Sequence, residues 1–165
     1  MALTPLTSVR EALKQHTAPL HHKLDGLPAL RDLVRPLDLS SYRCRLNAFA
    51  MAYDELEAEI QKTMPDLGYV PAYTPRLPAL EHDLAQLRQW IGPPLAASSP
   101  AAKAGIMSTQ WHYWGMRYVL EGATQGGKII ADRLRENLPQ LSPLAFSFWQ
   151  IQLALANWWP TLCSF

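Results

Sequence analysis

Cysteine, net charge and long apolar runs are what this sequence has least of. Its two cysteines, Cys44 and Cys163, stand far apart and fit neither a disulfide framework nor a metal or redox spacing. They read as reduced thiols of a cytoplasmic protein, Cys44 semi-buried on a helix. Fifteen lysines and arginines against fourteen aspartates and glutamates leave a formal charge of +1, with no basic block. That removes the electrostatic footprint on which nucleic-acid and anionic-membrane binding rest. No apolar run reaches membrane-spanning length, and the opening MALTPLTSVREALKQ lacks the apolar core of a signal peptide. Period-two alternation is missing as well. Residues 117–120, RYVL, have a strand's composition, but nothing nearby would pair with them.

Helical periodicity is what the chain does have, and it predicts one all-α domain over residues 1–165. Ser8 and Glu11 form a capping box for a first helix, whose leucines 13, 20, 24 and 27 make one stripe expected to face the core. Pro19 is placed to bend it, and Gly26 with Pro28 ends it. Tyr42, Leu46, Phe49, Tyr53, Leu56 and Ile60 recur at spacings of 4, 3, 4, 3 and 4, an amphipathic helix from Leu39 to Met64 with the carboxylates of DELEAE outside. Three later helices are expected to begin at Thr74-Pro75, Ser99-Pro100 and Ser142-Pro143, each a cap residue followed by a proline that needs no N–H there. The middle one runs to Asn137, broken or bent near Gly122, and the last ends at Trp159.

Gly122, Gly126 and Gly127 lie within six residues of that middle helix. Each glycine in a helix interior costs about 1 kcal/mol relative to alanine, so three need a reason. Close helix packing or helix termination is one. A phosphate loop is another, since Gly122 to Lys128 spells G-x-x-x-x-G-K, but Ile129 stands where a Ser or Thr should hold magnesium and no βαβ pattern surrounds it. The third is a flat ligand against bare backbone, which needs a partner on its other face. Helix one carries candidates. With the leucine stripe inward, His22 points to solvent, His21 lies at the stripe's edge and His16 nearer its centre. For each, a surface or satisfied core histidine is the plain alternative to a ligand.

The pairing of Thr17-x-x-x-His21-x-x-Leu24-Asp25 with Tyr118-Val119-Leu120-Glu121-Gly122-Ala123-x-x-Gly126-Gly127 resembles the bacterial haem oxygenase family, especially its bacteriophytochrome-associated members. The likeness continues through Leu39-Ser40-Ser41-Tyr42-Arg43, Arg76-Leu77 and Asp83 to Leu87, over roughly residues 9 to 150. It implies a single multi-helix domain that holds haem between the first helix and the glycine-containing distal helix. His21 would be the axial iron ligand. Gly122 and Gly126 would form the distal catalytic face with Gly127 behind, a bare surface that lets the helix reach the porphyrin. The implied reaction splits haem, with dioxygen and electrons from a ferredoxin or other reductase, into biliverdin, carbon monoxide and ferrous iron. Haem is then both cofactor and substrate. Lys14 matches a basic position that relatives use for the propionates, Arg133 is a second candidate, and Arg10 and Lys128 are weaker ones.

Two features depart from the family pattern. Ala123 stands where some relatives carry an aspartate, so no acidic side chain orders distal water from there. After Ser147-Phe148-Trp149 the chain runs QIQLALANWWP with no cation, where relatives continue with a glycine-containing stretch and a polar, basic helix. Trp158 and Trp159 are then either an apolar patch for a second subunit, giving a homodimer, or a cover folded back over the core. The rival functions are a haem carrier or sensor without turnover, another helical enzyme such as a di-iron or thiamine-degrading type, and a helical interaction module. A di-iron site needs E-x-x-H pairs, which this sequence lacks.

Overall fold

A computed structural model describes residues 9–63, 72–92, 110–141 and 143–162, and every regular element among them is helical. The helices are α1 (Val9–Asp25), α2 (Pro28–Arg31), α3 (Leu39–Thr63), α4 (Leu77–Ile91), α5 (Gln110–Asn137), α6 (Ser147–Leu155) and α7 (Trp159–Leu162). Short 3-10 turns lie at Asp32–Val34, Pro139–Leu141 and Ala156–Trp158. α3, α4, α5 and α6 pack on one another, and their apolar faces form the core. From α3 come Tyr42, Leu46, Tyr53 and Ile60, from α4 Leu80 and Leu87, from α5 Tyr113, Leu120 and Leu134, from α6 Phe148 and Trp149. Each such side chain, fully buried, contributes about 2 kcal/mol. The aromatics meet edge to face, as at Phe148 and Trp149 with centroids 4.9 Å apart, and the Trp149 indole N–H donates to the Tyr42 hydroxyl at 3.0 Å.

α3 spans the range its periodicity predicts, but its outer face is not wholly outside. Glu57, within DELEAE, is buried. Its carboxylate accepts the backbone N–H of Arg76 at 2.6 Å, that of Leu77 at 3.3 Å, and the Tyr73 hydroxyl at 2.8 Å. Three donors, two of them at a helix N-terminus, offset the desolvation of the charge. α4 therefore begins at Leu77, past the expected Thr74-Pro75 start, because the cap arrives from another helix. The same happens at α6. It begins at Ser147 rather than at Pro143, with the Asp83 carboxylate of α4 accepting the N–H groups of Ser147 and Phe148, each at 2.9 Å. Ser8, Ser99-Pro100 and Ser142 lie outside the described residues. At its far end α4 stops at Gly92, whose φ of 77° favours glycine, and Arg43 of α3 donates to the Gly92 carbonyl.

Three further expectations need correction. α5 is continuous from Gln110 to Asn137 and is not broken at Gly122, with neighbouring helices packed along it. Cys44 is exposed rather than semi-buried, since Tyr42, Arg43 and Leu46 take the inward positions of that turn. The leucine stripe of α1 faces outward, with Leu20 62% and Leu24 48% exposed. α1 turns a different face to the rest of the chain, about 110° around the helix from the leucines.

Candidate functional site

That other face of α1 carries Lys14, Thr17, Ala18, His21, His22 and Asp25, alternately three and one residues apart, the spacing of a single helical surface. These residues line a cavity of about 390 Å³, and the wall opposite them is Tyr118 of α5 and Trp159 of α7. The volume lies within the range of sites that hold small organic ligands. His21 is on the cavity side. His22, expected to point to solvent, is exposed and borders the cavity as well. His16 does not. Its Nδ1 lies 3.1 Å from the Ala12 carbonyl of its own helix.

The three glycines have three different surroundings. A Cβ built on Gly122 would lie 3.3 Å from Cη2 of Trp159, so the indole rests on bare backbone. The same indole meets the Tyr118 ring at 4.9 Å. Trp159 thus touches Gly122 on one side and borders the cavity of His21 on the other. Gly127 is buried against α6, where a Cβ would come within 3.1 Å of Cβ of Gln152, closer than ordinary van der Waals contact, so Gln152 would have to give way. A Cβ on Gly126 would meet nothing within 4 Å. Packing therefore accounts for Gly127, and for Gly122 through one side chain, but not for Gly126.

Among the cations singled out, Lys14 lines the cavity, two turns before His21 on the same face and about 10 Å from it along the axis. Arg133 is exposed and paired with Glu136 at 2.8 Å, and Lys128 with Asp132 at 2.7 Å; neither borders the cavity. The Arg10 side chain lies outside the described residues. Trp158 and Trp159 are both half-buried, and Trp159 packs on its own chain. Of the two readings of that pair, the fold-back cover matches this placement for Trp159.

Beneath Gly122 lies a buried charge network that the sequence did not single out. Glu121 is flanked by two fully buried arginines, Arg117 one turn earlier at 3.1 Å and Arg76 from the start of α4, which hydrogen-bonds its other oxygen. Arg76 also stacks over the Tyr73 ring at 4.5 Å, and Arg117 donates to the Tyr113 hydroxyl at 2.8 Å. Because Glu121 precedes Gly122 in the helix, this double pairing helps fix the rotation of α5 that sets the glycine against the Trp159 indole. The signal was there to read: an Arg-x-x-x-Glu pair, one turn apart, sits inside an otherwise apolar stretch. Burial also holds phenols in their protonated form. Tyr53 is pushed up to about 12, chiefly by desolvation, and Tyr42 and Tyr73 are raised further for the same reason.

No group of three or more metal-binding side chains forms among the described residues, which leaves a di-iron reading without a ligand set there. Nor is any helix among them long and apolar enough to cross a membrane. No solved structure gives a significant match to the chain. Over 72 residues, 42% of this chain, the sequence is 42% identical to a heme oxygenase of Xanthomonas campestris pv. campestris (strain 8004). That match spans 38% of the relative's length. The model of the heme oxygenase family matches residues 7–153, from the cavity face of α1 through the glycines of α5 into α6. The chain belongs to the haem oxygenase family.

Proposed function

We propose that this chain binds haem in the slot between α1 and the glycine face of α5 and cleaves it oxidatively to biliverdin, carbon monoxide and ferrous iron. The observation that carries the reading is that His21 lines a cavity whose other wall, the Trp159 indole, rests directly on the bare backbone of Gly122. Gly126 supports it. A helix-interior glycine costs about 1 kcal/mol, and no atom of the described residues lies within 4 Å of where a side chain on Gly126 would begin. A flat ligand lying along that face supplies the missing reason.

In this reading the His21 imidazole, on the cavity face of α1, would hold the haem iron. Lys14, on the same face, anchors a propionate through a charge-assisted hydrogen bond. Gly122 and Gly126, lacking side chains, would let a planar ligand come close to the α5 backbone. Haem supplies the redox chemistry, as substrate and cofactor together. The protein's residues orient it, and with Ala123 in place no carboxylate from that position orders the distal water. Electrons come from an external donor, a ferredoxin or another reductase. The cytosol suits a chain with a free, exposed Cys44.

A haem carrier or sensor on the same fold is the second reading, favoured by Ala123 and by the pairing of Arg133 with Glu136 away from the cavity. One titration separates the two. Purified chain and a His21→Ala variant are titrated with haemin, and ascorbate or a ferredoxin system is then added in air. Saturable one-to-one binding that His21→Ala weakens, followed by loss of the Soret band and growth of bilin absorbance, is the expected result. Binding without bilin favours the carrier. A spectrum indifferent to His21→Ala removes the site.

A further inference from the structure

The wall that faces His21 across the cavity is not the glycine backbone but an indole lying on it. Trp159 comes from α7, a helix of four residues, and sits with its ring edge where a Cβ of Gly122 would press at 3.3 Å. Its ring also borders the cavity. A planar ligand that is to touch His21 on one face and the backbone of Gly122 on the other needs the volume that this indole fills. We propose that Trp159 is a movable stopper: it occupies the glycine face in the ligand-free chain, and haem takes that face only when α7 swings out.

The surroundings of α7 are those of a hinged segment. A 3-10 turn, Ala156–Trp158, joins it to α6. Both the turn and α7 pack on α5, and among the described residues a side-chain hydrogen bond also ties the joint to it, Nε2 of Gln125 donating to the Ala156 carbonyl at 2.8 Å. Gln125 is exposed and outside the cavity, so this bond acts on the joint and not on the ligand. Trp159 is only half-buried, and its ring contact with Tyr118 is one that a porphyrin face can replace. The apparent affinity of such a site falls by the fraction of molecules in which the stopper is out, and removing the stopper restores it. This inference rests on the haem reading of the slot.

The test is stopped-flow association of haemin with the full chain, read in the Soret region, beside the thermal midpoint of each ligand-free protein. Trp159→Ala, Trp159→Phe and Gln125→Ala are compared with wild type and with Trp90→Ala, an exposed tryptophan elsewhere. Association with Trp159→Ala and Gln125→Ala is expected to be about tenfold faster than with wild type, with Trp159→Phe between and Trp90→Ala unchanged. If Trp159→Ala does not fold, Gln125→Ala and Trp159→Phe carry the comparison, since both keep a covered core. Association that is unchanged or slower in these variants overturns the stopper and makes Trp159 a fixed wall of the site. A His21→Ala control in each background separates the two ideas. If wild type binds with a His21-dependent spectrum and Trp159 has no effect, only the stopper fails. If no background gives a His21-dependent spectrum, the slot itself is not a haem site and the stopper falls with it.

Discussion

Glu121 holds two buried guanidinium groups at once, so its removal leaves two uncompensated charges inside the bundle. Breaking a buried pair by deleting one partner typically costs about 3 to 5 kcal/mol, whereas exposed pairs contribute well under about 1 kcal/mol. Urea denaturation should therefore find Glu121→Gln less stable than wild type by about 3 kcal/mol and Arg133→Ala within about 0.5 kcal/mol of it. An equal effect of the two would mean that the network is solvated. The buried phenols make a second prediction. Tyr53 keeps its proton up to about 12, against 10.0 for a free phenol, and Tyr42 and Tyr73 hold theirs longer still. The folded state thus binds more protons than the unfolded one above pH 10. Stability is full below that pH and falls as pH rises through the window, by about 1.4 kcal/mol per pH unit for each such tyrosine. Tyrosinate absorbance should accordingly rise in two stages, the second coinciding with loss of helical circular dichroism.

Helix starts are the clearest lesson at the scale of elements. Where the sequence offers Thr74-Pro75 and Ser142-Pro143, the chain begins α4 and α6 later, under the carboxylates of Glu57 and Asp83. Deleting a cap typically costs about 1 to 2 kcal/mol, so Asp83→Ala should lower stability by about 2 kcal/mol while Thr74→Ala changes it by a few tenths. Such caps cannot be read locally, because a carboxylate one helix away looks, in sequence, like one more charge on an outer face. The long stripes of α3 and α4 were legible for the opposite reason: their spacing alone decides which side is buried. α1 was legible in extent but not in orientation. Its leucines have the stronger period, yet the face bearing Lys14, Thr17 and His21 is the one turned to the cavity. The glycines of α5 announce a requirement and not its cause, and the structure divides them. Gly126→Ala places a methyl in open space and should raise the stability of the ligand-free chain by up to about 1 kcal/mol. Gly127→Ala forces a methyl against Gln152 and should lower it. If Gly126→Ala also weakens haemin binding, that glycine is retained for the ligand at the expense of the fold.

At the scale of the whole molecule the described residues form a well-packed four-helix body, α3 to α6, with α1 across a cavity from Tyr118 and Trp159. From Glu11 to Asp25 no residue of α1 is buried, although this helix presents His21. Few contacts fasten it, so its amides should open at a much lower free energy than those of α3 or α5. Hydrogen exchange followed by mass spectrometry should see α1 exchange first in the ligand-free chain. The consequence concerns product release. A bond from His21 to iron would act as a clasp, slowing exchange in α1 for as long as the ligand stays. Were the iron then to leave, the clasp would go and α1 would regain its looseness. Emptying the slot would then need no separate opening device on that side: the lifetime of the closed form would be set by the metal's own residence.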